Sequence, residues 1–295
     1  MRQNGVCDGQ LHAGELGDLQ TAAQARGRRR SRATRPTVGL AATLMDPAVP
    51  LHRRARFVAR RLGLDIHLYQ PSFDTDARRA RFLREHRIDV LIDGGASTGK
   101  WARRIRENGY RGLIISFEPL ADAFGALRAT SAGDPLWRCF QAALGDAESE
   151  ARINVAGNSV SSSLLPMERA HVSAAPESAY VRSEAVRVVR LDRVVPRMIT
   201  ADANLALKLD LQGYEAVALA GAEGILPTVR LVECELSIVL LYRTQPLYLE
   251  MIDLFTGLGF SLASLSEELT DPSTGHVMQV TAIFVRASDQ RPTPR

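Results

Sequence analysis

The sequence predicts an α/β fold, a mostly parallel sheet with helices on both faces, and three observations carry that prediction. Short apolar runs recur that each end in an acid and a turn: Val90 to Asp93, Leu113 to Glu118 and Leu205 to Asp210. Runs with no polar alternation suit strands of a parallel sheet covered on both sides. Apolar residues at helical spacing follow each run: Trp101, Ala102 and Ile105, then Phe124 and Leu127, then Val217 and Leu219. At 295 residues, 45% hydrophobic and 24% charged, the chain can bury one large core.

The N-terminal part reads differently. Residues 1–50 hold seven Arg and four acids, and six of those arginines lie between Arg26 and Arg35 beside Gly27, Ser31, Thr34 and Pro36. Residues 1–45 are therefore predicted to be a disordered basic tail, a solvated or wrongly assigned N-terminus rather than one that binds nucleic acid. The rest of the chain, with 30 basic and 29 acidic side chains, is nearly neutral. Residues 46–87 are predicted to be a helical preface packing on the sheet. Leu51, Ala55, Val58 and Leu62 mark one helix that stops at Gly63, and Asp74 caps a second that carries Ala80 and Leu83. The main domain is expected over residues 88–290. No run approaches the ~18 apolar residues of a membrane span, and the first thirty residues lack the apolar core of a signal peptide, so a cytoplasmic location is expected. The three cysteines and six histidines are dispersed without metal-ligand spacing, which argues against a disulfide framework and a zinc site.

Asp93-Gly94-Gly95-Ala96-Ser97-Thr98-Gly99 is the richest segment. Gly95 and Gly99 let the backbone turn sharply and approach a ligand, and Gly109 suits the C-terminus of the helix that follows. Three nucleotide folds open this way. Gly94 to Lys100 spells the G-x-x-x-x-G-K of a phosphate loop, but the next residue, which should offer a hydroxyl to Mg²⁺, is Trp101. An NTPase or kinase is thus an alternative that lacks its metal ligand. A dinucleotide fold needs G-x-G-x-x-G, and the first interval is missing. The third fold binds S-adenosylmethionine, which has no phosphate and whose cationic methionine part Asp93 can face. Glu118, nineteen residues beyond Gly99, stands where an acid accepts hydrogen bonds from ribose hydroxyls; its other reading is a carboxylate complementing a helix dipole. Pro119 is expected in the first turn of the next helix.

Leu136 to Ala142 reads as a third strand and Ala151 to Val155 as a further one. Residues 157–180, rich in Ser and Ala, read as a long loop, either for acceptor recognition or as a plain surface insertion. Lys208 and Asp210 share one strand face, and Glu233 and Glu235 do the same on Leu231 to Glu235. Charges on buried strands persist only if paired or functional. A Lys208–Glu233 pair is one expectation. Asp210 and Glu235, at the carboxyl ends where open sheets bind ligands, are the functional candidates.

D-G-G-A-S-T-G at 93–99, S-F-E-P at 116–119, A-A-L-G-D at 142–146, V-R-L-D at 189–192, L-K-L-D-L-Q-G-Y-E at 207–215 and F-x-x-L-G-F at 255–260 together resemble the FkbM family of S-adenosylmethionine-dependent methyltransferases, over roughly residues 88–286. That resemblance implies a class I methyltransferase (Rossmann-like) sheet of seven strands with a final antiparallel strand at Met278 to Arg286. It also implies O-methylation of a hydroxyl on a sugar, a glycan or glycolipid, or a natural product. The family usually has Asn at the place of Ser97 and a bulkier apolar residue at the place of Gly94. On this reading Asp93 and Gly95 take the methionine end, Glu118 the ribose, and Gln141 and Ala142 the adenine edge. Ala96, Ser97, Gly99 and Pro119 complete the donor site. Asp210 is the leading candidate for general base or acceptor positioning, with Glu215, Glu235 and Tyr242 behind it. No metal is expected, the alternative being Mg²⁺ held by Asp210 and Glu235. A catalytically silent binding module is a further alternative, which would need no acids at 210 and 235. The expected partner is a hydroxyl acceptor rather than nucleic acid.

Overall fold

The computed structural model describes residues 50–64 and 74–287, and the predicted tail at 1–45 lies outside the described residues. The chain divides into two units between Leu68 and Tyr69. Of the first, the described part is helix α1 (Leu51–Arg61), which ends through Leu62 and a left-handed Gly63. The second unit holds everything that follows. It opens with α2 (Thr75–Glu85), where Asp74 Oδ1 accepts the Ala77 N–H at 2.7 Å as the predicted N-cap.

Then come β1 (Val90–Gly94), α3 (Lys100–Glu107), β2 (Leu113–Phe117), α4 (Ala121–Ser131), β3 (Trp137–Phe140), β4 (Ala143–Leu144), β5 (Ser149–Ala156), α5 (Arg169–Ala174) and β6 (Tyr180–Val189). After them follow α6 (Leu191–Val194), β7 (Leu205–Leu209), α7 (Glu215–Ala220), β8 (Val229–Ser237), α8 (Tyr248–Gly257), β9 (Phe260–Thr270) and β10 (Val277–Arg286). Seven strands form one sheet in the order β3-β2-β1-β7-β8-β10-β9. The first five are parallel, and β10 runs antiparallel to both of its neighbours, as the resemblance implies.

Alternation along the strands divides the core between the two faces of this sheet. Val90, Ile92, Ile115, Phe117, Leu205 and Leu207 belong to one apolar cluster, and Leu91, Ile114, Ala206, Leu231 and Ile283 to the other, where Leu83 of α2 and Ala102 and Ile105 of α3 join them. A second, three-stranded sheet has the order β4-β6-β5, and Ile153, Val155, Val186 and Val188 form its core. The sequence reading did not anticipate β6. Arg182, Glu184 and Arg187 interrupt its apolar residues, because half of the strand faces solvent. Pro119 also lies outside the helix it was expected to open, since α4 starts at Ala121 with Leu120 as N-cap.

One row of side chains across the sheet prepares the site. Register places Ser116 beside Asp93, Asp93 beside Lys208 and Lys208 beside Glu233, on four adjacent strands. Just past this row, Gly95 has φ +74°, and a Cβ there would come within 1.9 Å of the Asp210 carbonyl oxygen. Gly95→Ala is therefore expected to destabilise the fold by about 2–4 kcal/mol, read as a lower midpoint in urea unfolding.

Candidate active site

The turn after β1 spends its backbone donors locally. The Gly95 and Ala96 N–H groups donate to the Phe117 carbonyl (3.1 and 3.0 Å), the Ser97 N–H to Glu118 Oε2 (2.8 Å) and the Gly99 N–H to the Ala96 carbonyl (2.9 Å). A phosphate loop needs such groups free to cradle oxygens, so the G-x-x-x-x-G-K spelling does not make one here. Ser97 sits at φ 49°, in the left-handed region that Asn tolerates well. At Gly94 a Cβ would approach Leu144 Cδ1 to 2.8 Å, so the Leu144 side chain takes up the room that a larger residue needs.

Glu118 ends β2 with both carboxylate oxygens engaged, Oε2 by Ser97 and Oε1 by the Leu120 N–H (2.9 Å). It is 5% exposed, and burial pushes its carboxyl up to about 7 against the opposing pull of those two N–H groups. Each oxygen keeps a lone pair for another donor. They border a cavity lined among others by Gly95, Ser97, Pro119, Ala142, Leu144 and Asp210. Ser159, Val160 and Ser162 to Leu164 also line it, from the loop expected either for acceptor recognition or as a plain surface insertion. A second, roomier cavity adjoins it and shares Gly95, Ser97, Ser159, Val160 and Asp210. Its other walls carry Arg79, Lys100, Trp101 and Arg104 on one side and Glu233, Glu235, Glu268 and Thr281 on the other.

Beneath the junction lies a buried ionic network. Lys208 Nζ is 3.2 Å from Asp93 Oδ1 and 3.3 Å from Asp210 Oδ2, and it donates to the Gly95 carbonyl at 2.9 Å. Burial alone would lower this ammonium, but Asp210, Asp93 and Glu235 outweigh it and hold the group above its ordinary value. The Ser116 hydroxyl donates to Asp93 Oδ2 (3.1 Å), and Trp137 Nε1 donates to Ser116 (2.9 Å). Glu233 instead takes Arg79 of α2 (Nε–Oε2 2.5 Å) and Trp101 Nε1 (3.2 Å). The expected Lys208–Glu233 pair is thus corrected: two aspartates draw Lys208 away, and a helix distant in sequence supplies the guanidinium. Trp101 lies under both cations, with Lys208 Nζ at 5.4 Å and the Arg79 guanidinium at 5.7 Å from its ring centre. Lys208→Ala leaves Asp93, which has no accessible surface, without its counter-charge. It is expected to cost about 3–5 kcal/mol in urea unfolding, with partial recovery in the Lys208→Ala, Asp93→Asn double variant.

Asp210 Oδ1 accepts from Gln212 Nε2 at 2.7 Å, and the same nitrogen donates to Glu235 Oε2 at 2.9 Å. Gln279 Nε2 donates to that Glu235 oxygen as well (2.9 Å). Burial first, then Asp210, drive the Glu235 carboxyl well above its usual range. A Mg²⁺ ion does not fit between these acids, since an amide N–H donor already bridges them and the Lys208 ammonium neutralises Asp210. Among the described residues no group of three or more His, Cys, Asp and Glu side chains is arranged to hold a metal.

The structure therefore brings Gly95, Ser97, Glu118, Pro119, Ala142 and Asp210 together around the first cavity, and Ala96 and Glu235 around the second. Other expected site residues stand elsewhere. Asp93 is turned to Lys208 and Ser116, so an ion pair takes the place of its expected contact with the methionine end. Gly99 serves as N-cap of α3, and Gln141 is exposed beyond the cavity lining. Glu215 is buried, and its Oε1 accepts the Leu211 and Gly213 N–H groups (2.8 and 3.2 Å), so it shapes the turn after β7 instead of facing either cavity. Tyr242 is fully buried, its hydroxyl 2.6 Å from Gln212 Oε1 and 3.0 Å from the Ser161 carbonyl. Sequence reasoning passed over Gln212, although it stands inside the most specific motif, because an amide carries no charge to flag it.

Residues 93–262 match the family model described as Methyltransferase FkbM domain. No curated protein matches the chain. Among solved structures, an rRNA methylase from Streptococcus thermophilus is 11% identical over 75% of this chain and 99% of that chain, with a TM-score of 0.40. Aeropyrum pernix fibrillarin in complex with natively bound S-adenosyl-L-methionine is 11% identical over 67% and 66%, with a TM-score of 0.38. TehB from Haemophilus influenzae is 7% identical over 72% and 61%, with a TM-score of 0.39. Likenesses this loose carry no argument about acceptor or mechanism.

Proposed function

Because this chain belongs to the FkbM family of S-adenosylmethionine-dependent methyltransferases, we propose that it methylates a hydroxyl oxygen of a sugar, glycan or natural-product acceptor held in the second cavity. The observation that supports this most is that Glu118 and Asp210 face one cavity while Asp210 also faces the adjoining one. We place the catalytic domain at residues 88–290, with Arg79 of α2 adding to the acceptor wall.

The donor supplies a methyl group on a sulfonium, which makes the sulfur a good leaving group. In our reading Glu118 accepts both ribose hydroxyls, Ala142, Leu144 and Leu164 surround the adenine, and the Gly95 to Ser97 backbone borders the methionine end beside Asp210. Asp210 then has two tasks. It orients the acceptor hydroxyl in line with the methyl group and takes its proton as the oxygen–carbon bond forms. Orientation can supply ~7–11 kcal/mol and a positioned base ~10²- to 10⁴-fold. Four acids and four bases line the second cavity, a balance that suits a neutral polyol better than a polyanionic backbone.

The test offers methyl-labelled S-adenosylmethionine with a panel of methyl glycosides, glycolipids, polyhydroxylated natural products and RNA oligonucleotides. Label in a hydroxylated small molecule as a methyl ether is the expected result. Label in RNA alone, or in nothing while the donor binds, overturns the acceptor assignment.

A further inference from the structure

We infer that Gln212 is a positioning residue, which sets the two carboxyl groups of the proposed acceptor cavity and ties them to the loop that walls the donor cavity; this rests on the function proposed above. Gln212 adopts φ 53°, a left-handed conformation that a residue other than glycine keeps only when its surroundings hold it there. Its surroundings do so on four sides. One hydrogen of Nε2 goes to Asp210 and the other to Glu235, which uses the full donor capacity of the amide. Oε1 meets the Tyr242 hydroxyl, and the backbone carbonyl accepts from Ser163 Oγ at 2.7 Å.

The chemistry fixes the amide in one sense. Two carboxyl groups on one end demand donors, and the hydroxyl at the other end donates, so a flipped amide would set oxygen against oxygen. Asp210 is thus held at both oxygens, by Gln212 and Lys208, and Glu235 at Oε2, by Gln212 and Gln279. Glu235 Oε1, and the lone pairs that Asp210 does not spend on Gln212 and Lys208, are then left for the second cavity. Tyr242 also touches the Ser161 carbonyl and Ser163 the Gln212 carbonyl, so the stretch that walls the donor cavity and the acids of the acceptor cavity share one anchor. A shift of that loop would be felt at Asp210 through two hydrogen bonds. Tyr242, expected at the sequence level to act on the substrate, acts in this arrangement by orienting the amide.

The clamp can be tested without knowing the acceptor. Carboxyl titration of the full chain is followed by ¹³C NMR in wild type, Gln212→Met and Tyr242→Phe, with calorimetry against S-adenosylhomocysteine on the same samples. Gln212→Met removes both N–H donors, so the titration of Glu235 is expected to move upward by on the order of one pH unit. Tyr242→Phe keeps the ring and is expected to move it the same way by less, and it stands as the readout should Gln212→Met fail to fold. Titrations that superimpose on wild type in the folded variants overturn the assignment. Failure of wild type to bind the nucleoside would instead strike the proposed function, since the titration does not depend on it.

Discussion

Glu118→Ala is expected to weaken S-adenosylhomocysteine binding by about a hundredfold or more, measured by calorimetry at pH 8. Two hydrogen bonds from ribose hydroxyls to a charged acceptor are worth ~1.5–3 kcal/mol each, so losing both removes at least ~3 kcal/mol. The variant also frees the Ser97 and Leu120 N–H groups, which now hold the turn after β1 to the start of α4. A pH dependence accompanies this. The Glu118 carboxyl, at about 7 in the fold, lies above its ordinary value of 4.5. The sign follows from linkage: a raised acid favours the protonated fold, so its contribution to stability is present below about 4.5 and is lost as pH rises through about 7. Donor binding runs the other way, because the ionised carboxylate is the stronger acceptor. Wild-type affinity should therefore rise between pH 6 and 8 while the thermal midpoint of the free protein loses this contribution, and Glu118→Ala should show a flat affinity profile. A steep profile in the variant would place the titrating group elsewhere.

Asp210→Asn is expected to lower kcat by about 10²- to 10⁴-fold while leaving nucleoside affinity within a few-fold. The amide keeps the shape of the side chain but can neither take the proton nor pair with Lys208, which retains Asp93 at 3.2 Å. Binding and turnover should thus separate in this variant, whereas both fail together in Glu118→Ala. If kcat holds in Asp210→Asn for a probe that wild type methylates, the base lies elsewhere, and Glu235 is the next group to change.

Much of the site was legible in the sequence because its anchors are local. An acid or glycine at the end of an apolar run points to the carboxyl edge of the sheet whatever packs above it, which is why Gly95, Glu118 and Asp210 stand where they were expected. Glu215 and Tyr242 show the limit of that reasoning. One closes the motif at 207–215 and the other lies well beyond it, and both are spent inside the protein, Glu215 on turn N–H groups and Tyr242 on an amide.

The sequence by itself determined the α/β class, the strands that carry the candidate site, the glycine turn after β1 and the acids that close the first two core strands and β7, since periodicity, glycine placement and strand-end acids are properties of short segments. The tertiary structure alone decided which charges meet. Register set Ser116, Asp93, Lys208 and Glu233 side by side, α2 brought Arg79 to Glu233, and a loop nearly fifty residues before Gln212 brought Ser163 to its carbonyl. Partners in a buried network are chosen by distance and by the cost of leaving a charge unpaired, and neither quantity exists until segments far apart in the chain have packed together.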